Sequence, residues 1–210
     1  MKTSSDRRPG VVGVGRPRDP QVDRSILAAT REVLVESGYQ KTTITAIARR
    51  AKVGTSAIYR RWATKESIVE DAVFGGPDAT LPAATASLRD DLLAWTRLFL
   101  NQIAEPAARA AIPGLLSAYL HDHGAYERLI LSAEDPVRVT LAERVAAEFP
   151  DRSADETAAA ADAAFDLLVS ATIVRGLTNG LVDADAFCAR TADSLVLLVS
   201  VDRSEFDSVS

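Results

Sequence analysis

Between Thr43 and Lys65 the chain reads TITAIARRAKVGTSAIYRRWATK, two short amphipathic helical patterns parted by a three-residue break. Thr45 can cap the first, in which Ile47, Ala48 and Ala51 recur at helical spacing until Lys52-Val53-Gly54 interrupts it. In the second, Thr55 or Ser56 can accept an amide hydrogen bond near the N-terminus, and Ile58 and Trp62 stand four apart on one face. Ala57, Arg60 and Arg61 lie largely off that face. The spacing predicts a helix-turn-helix whose second helix offers small and basic residues to a DNA major groove.

Helix pairs of this kind also serve as plain packing units, so residue types must decide. Arg49, Arg50, Lys52, Arg60, Arg61 and Lys65 place six cations within seventeen residues, interleaved with Thr45, Thr55, Ser56 and Tyr59, all groups that hydrogen-bond phosphate. On this reading Thr55, Ser56, Ala57 and Arg60 face or border base edges. Thr43 and Thr45, at the start of the first helix, and Tyr59, Arg61 and Lys65 favour phosphate.

The run Val53 to Val69, VGTSAIYRRWATKESIV, resembles the end of the DNA-binding domain of the TetR family of bacterial transcriptional regulators. That family carries a turn valine and a hydroxyl residue, then aliphatic-Tyr-x-x-aromatic-x-x-Lys-acidic; Ile58, Tyr59, Trp62, Lys65 and Glu66 fall on those positions. The resemblance is specific over Asp23 to Phe74. Lys52 departs from it where the family has a turn glycine, and Gly54 where it has a capping serine, which puts a phosphate contact at Gly54 in question and leaves Thr55 to replace it.

The formal charge of −5 hides an asymmetry. Residues 1 to 75 hold 14 basic and 8 acidic side chains, net +6, while 76 to 210 hold 10 and 21, net −11. A basic head can bind DNA while an acidic body stays off it. The N-terminus has no apolar segment after its charges and no uninterrupted apolar run suits a bilayer span, so neither signal peptide nor membrane anchor is expected and a cytoplasmic protein is. Cys188 stands alone and reads as a small buried residue.

Three segments are expected: a basic arm over 1–20, a helix-turn-helix domain with its connecting helix over 21–74, and a larger helical body over 75–210. The fold class is all-α. Arg16 and Arg18 flank Pro17 in the arm, a composition suited to a narrow minor groove. A first helix runs from Asp23 to Ser37 and stops at Gly38, with Tyr39 and Ile44 plugging the small core. A connecting helix follows from Lys65 to about Phe74. In the body, helices are expected over Leu88 to Ala104, Pro106 to about Tyr119 or Leu120, Tyr126 to Ala133, Pro136 to Phe149, Ser153 to Asn179 and Asp183 to Asp202.

No catalytic constellation is present: there is no nucleophile elbow, phosphate loop or dinucleotide fingerprint. His121 and His123, two apart, make no full metal-ligand set, and Asp90-Asp91 and Asp183-Asp185 read as helix caps. Neither enzyme activity nor a cofactor is expected. Trp95, Phe99, Ile103, Ile112, Leu115, Leu116 and Tyr119 lie on adjacent helices that can leave an apolar cavity; taken singly each also reads as ordinary core. The resemblance implies a small effector there, and a lining with no dominant charged cluster suits an apolar or aromatic molecule. Phe165, Leu168, Val169, Thr172, Ile173 and Gly176 form an apolar stripe on the penultimate helix, and Leu195, Leu198 and Val199 another on the last. The resemblance implies that these two helices pair with a second copy as a four-helix bundle.

The expected function is therefore a ligand-responsive repressor, a homodimer on a palindromic double-stranded operator. Two rivals are a helical protein-interaction module without selective duplex binding, and a small enzyme with an unrecognised site.

Overall fold

The computed structural model describes residues 19–75, 81–122, 124, 127 and 134–201. The described helices are α1 (Pro20–Lys41), α2 (Ile44–Ala51), α3 (Thr55–Tyr59), α4 (Lys65–Phe74), α5 (Leu88–Ala104), α6 (Pro106–Tyr119), α7 (Asp135–Glu148), α8 (Ala154–Thr178) and α9 (Ala184–Ser200). No strand occurs among the described residues, and the fold is all-α. The arm with Arg16 and Arg18, and most of the helix expected at Tyr126 to Ala133, lie outside the described residues.

Local chemistry explains the boundaries. Asp19 accepts the Gln21 amide at 2.9 Å and Pro20 occupies the first turn, so α1 starts earlier than the apolar repeat suggests. At Gly38, φ is 74°, a conformation that costs a residue with a Cβ dearly; it breaks the helix, and one further turn carries the chain to Lys41. Thr43, not Thr45, caps α2: its extended backbone brings Oγ1 to the Ala46 amide at 3.1 Å, while Thr45 already lies inside the helix. Thr64 and Ser67 form a reciprocal capping box on α4, and Ser153 with Glu156 does the same on α8.

Asp91 is not a cap. Ser87 caps α5, and Asp91 turns inward to accept the Thr85 amide at 2.7 Å and Arg144 Nε at 2.6 Å, tying α7 and the segment before α5 together. Burial pushes the Asp91 carboxyl up, but those donors outweigh it and hold the group below the usual carboxylate range. Asp183, at φ 49°, makes no side-chain cap bond to α9.

Packing forms two apolar clusters. The first joins α1 to α4 with α6 and the end of α5, through Ile26, Leu34, Ile47, Ile58, Ile68 and Leu115. The second joins the start of α5 with α7, α8 and α9, through Leu92, Leu141, Val145, Phe165 and Leu195. The packing thus crosses the chain boundary expected near Gly75, because α6 shares the core of the helix-turn-helix head. The residues expected to line one cavity are divided accordingly: Ile103, Ile112, Leu115 and Tyr119 belong to the first cluster, Trp95 to the second, with Phe99 packed edge-on to Phe165 at 6.1 Å between centroids. Leu116 is exposed.

Much of the two stripes expected to face a partner copy packs inside the chain. Phe165, Leu168, Thr172, Leu195 and Val199 are buried, and Val169, Ile173 and Leu198 are half-buried against the two clusters. Gly176 faces α5 so closely that an added Cβ would lie 2.5 Å from Ile103 Cγ2. Periodicity identifies an apolar face but not which neighbour covers it. The apolar side chains that α8 and α9 do expose are Leu167, Val174 and Leu197. By length and composition α8 could cross a membrane, but Asp162, Asp166 and Arg175 interrupt its apolar run, and here it is a core helix held between α5, α7 and α9.

Candidate nucleic-acid interface

The second helix of the motif is only five residues long and is held by its inner face. Ile58 is fully buried, and Trp62 just beyond it is buried with its indole N–H donated to Asp71 Oδ2 at 2.6 Å. Gly54 caps α3 with no side-chain hydrogen bond, and Lys52 takes the left-handed conformation at the turn, φ 55°. Both departures from the family pattern therefore occupy the turn itself.

The outer face is open. Thr55, Ser56, Tyr59 and Arg60 are exposed, Ala57 is half-buried between them, and Thr43 and Thr45 are exposed at the start of α2. The Arg60 guanidinium has no partner among the described residues. One surface thus combines the α2 N-terminus, three hydroxyl-bearing positions on α3 and an uncommitted arginine.

Two expected phosphate ligands are already engaged inside the chain. Arg61 donates Nε to Asp23 Oδ1 of α1 and Nη1 to the Ala57 carbonyl at 2.9 Å, leaving its side chain 10% exposed. Lys65 donates Nζ to the Tyr39 carbonyl at 2.9 Å and lies 3.7 Å from the centre of the Tyr39 ring. Burial lowers the Lys65 ammonium pKa, against a smaller upward pull from Glu66. Both side chains anchor the motif to α1. Arg50 is similarly tied, to Glu32 and Glu36, which stand four apart on α1. Those acidic spacings were readable in the sequence; the choice of partner across 38 positions, Asp23 for Arg61, was not.

No group of three or more His, Cys, Asp or Glu side chains able to hold a metal ion occurs among the described residues. His121 is exposed with Nδ1 2.7 Å from the Ser117 carbonyl, and His123 lies outside the described residues. Cys188 is buried, and burial raises its thiol pKa.

Residues 26–72 match the family model described as bacterial regulatory proteins, tetR family. Over 195 residues, 90% of this chain and 94% of its relative, the sequence is 30% identical to an uncharacterized HTH-type transcriptional regulator of Mycobacterium tuberculosis. The chain belongs to the TetR family. A DNA-binding transcriptional repressor of Mycobacteroides abscessus is 26% identical over 185 residues, 83% of this chain and 92% of that protein. The crystal structure of another TetR family transcription regulator superposes with a TM-score of 0.59 at 25% identity, covering 87% of this chain and 99% of that one. The TetR-family assignment makes the chain a helix-turn-helix transcriptional regulator that binds DNA, and not an enzyme.

Proposed function

We propose that this TetR-family regulator is an effector-responsive repressor that binds a palindromic operator as a homodimer in the bacterial cytoplasm. The observation that carries the reading is the division of the basic side chains: Arg61 and Lys65 brace the motif internally, while Arg60 stands exposed beside Thr55, Ser56 and Tyr59. In this reading Arg60 reads a guanine edge, Thr55, Ser56 and Ala57 border bases, and Thr43, Thr45 and Tyr59 contact phosphate. Lys65 keeps further donors for phosphate beyond the one on Tyr39. Arg16 and Arg18 enter the adjacent minor groove.

A second copy covers Leu167, Val174 and Leu197, and the two-fold axis sets the heads roughly 34 to 36 Å apart, one helical repeat of duplex. The effector is a small apolar or aromatic molecule that enters beside Phe99, at the seam where α5 passes from the cluster of Trp95 to that of Ile103, Ile112, Leu115 and Tyr119. Leu116 lies at its rim. A molecule seated there separates the two clusters and lowers operator affinity by its preference for the separated form.

Selection of duplexes from randomised DNA, followed by titration with apolar and aromatic compounds, tests the reading. A two-fold symmetric consensus, and release by a compound whose effect is lost in Phe99→Ala, support it. An asymmetric consensus bound by a monomer refutes the dimeric repressor.

A further inference from the structure

We infer that Tyr39 is a positioning residue that fixes the angle between head and body, through direct contact of its ring with the backbone of α6 at Gly114. Tyr39 sits just past the Gly38 break, in the last turn of α1. Its ring lies on Gly114 so closely that an added Cβ would stand 2.1 Å from Cδ1, 2.3 Å from Cγ and 2.8 Å from Cε1. No side chain but hydrogen fits between them.

The same ring cannot swing aside freely, because α4 grips it from the other direction. Its hydroxyl donates to Glu66 Oε1 at 2.9 Å, its face carries the Lys65 ammonium, and its own carbonyl accepts Lys65 Nζ. Lys65 and Glu66 are the first residues of α4, immediately after the cap that ends the recognition segment. A sideways displacement of α6 therefore presses the ring and moves the start of α4 with it. One helical turn on, Tyr119 of α6 donates to Glu70 Oε1 at 2.9 Å, so α6 holds α4 at two levels, once directly and once through Tyr39. Rigid, close-packed contacts transmit such displacements rather than absorbing them.

The inference rests on the DNA-binding reading only for one of its two tests. In the first, a duplex selected with the full-length wild-type chain is the probe, and affinity is measured for folded variants. Gly114→Ala is expected to weaken binding by at least about fivefold, Tyr39→Phe, which keeps the ring, to stay near wild type, and Tyr39→Ala combined with Gly114→Ala to bind like Tyr39→Ala alone. In the second, spin labels at Val35→Cys and Ala147→Cys, both exposed, report the head-to-body distance without DNA. Gly114→Ala is expected to shift or broaden that distribution, and Tyr39→Leu, which leaves a gap instead of a clash, to broaden it. Wild-type affinity and distances in Gly114→Ala, or losses from Tyr39→Ala and Gly114→Ala that simply multiply, would overturn the inference. If the wild type selects no duplex, the repressor reading falls and the distance measurement alone decides the role of Tyr39.

Discussion

Helices α3 and α4 are neighbours in the chain and differ in nearly every respect that sets stability. In α3, five residues contribute one buried side chain, Ile58, under a glycine cap. In α4, ten residues contribute Ile68, Val69, Ala72 and Val73 beneath a capping box. Side chains from elsewhere also hold α4: Arg31 donates to the Ala72 carbonyl, Gln102 to the Val73 carbonyl at 3.1 Å, and Tyr119 to Glu70. The difference sets a lightly held helix beside one held on several sides, which is the division the proposed reading requires. A five-residue helix with an open outer face buries little of itself, so its placement is delegated to the one that follows.

The most severe way to break this arrangement is to remove the one buried side chain of α3. Ile58→Ala is expected to lower unfolding free energy by about 2 to 5 kcal/mol, read by chemical denaturation, because the site is fully enclosed and collapses poorly. Next in size is the contrast between adjacent arginines. Arg61→Ala leaves Asp23 without its partner and is expected to cost about 1 to 3 kcal/mol of stability. Arg60→Ala is expected to change stability by less than about 0.5 kcal/mol, yet to lose about 1 to 3 kcal/mol of discrimination at one operator position. Comparable melting points for the two variants would erase the division between reading and bracing.

Thr64→Ala removes the cap of α4 and is expected to cost about 1 kcal/mol, again by denaturation. The smallest effect sharpens the comparison from the other side. Lys52→Gly relieves a left-handed backbone at the turn into α3 and is expected to stabilise by up to about 1 kcal/mol without altering sequence preference. Circular dichroism melts and binding curves on one duplex would read both.

What could be read from sequence follows the same line between local and non-local causes. The bounds of α5 and α6, the break at Gly38 and the turn at Lys52 depend on near neighbours, and the apolar spacing of Leu88 to Ala104 with Pro106 beyond it reports them directly. Sequence alone points to Thr45 as the cap of α2 but Thr43 fills that place, a difference fixed by the backbone angles. The internal partners of Arg61 and Lys65 were not legible, because a long cation shows its charge in sequence but not the direction in which it folds. The Phe165 to Val199 stripes pose a related problem: an inward face and a partner-facing one have the same composition until the neighbouring helices are placed.

The sharing of one apolar cluster between α1, α4 and α6 has a consequence for how such a chain can diversify. A fragment ending at Gly75 would uncover Ile68, Val73 and the ring of Tyr39, all of which lose their α6 neighbours. Such a head is not an interchangeable cassette. Grafting it onto a different body requires carrying α6 along, so inheritance should keep α1, α4 and α6 together as a block, while the exposed positions of α3, and those of α7 away from its packed face, remain at liberty to vary.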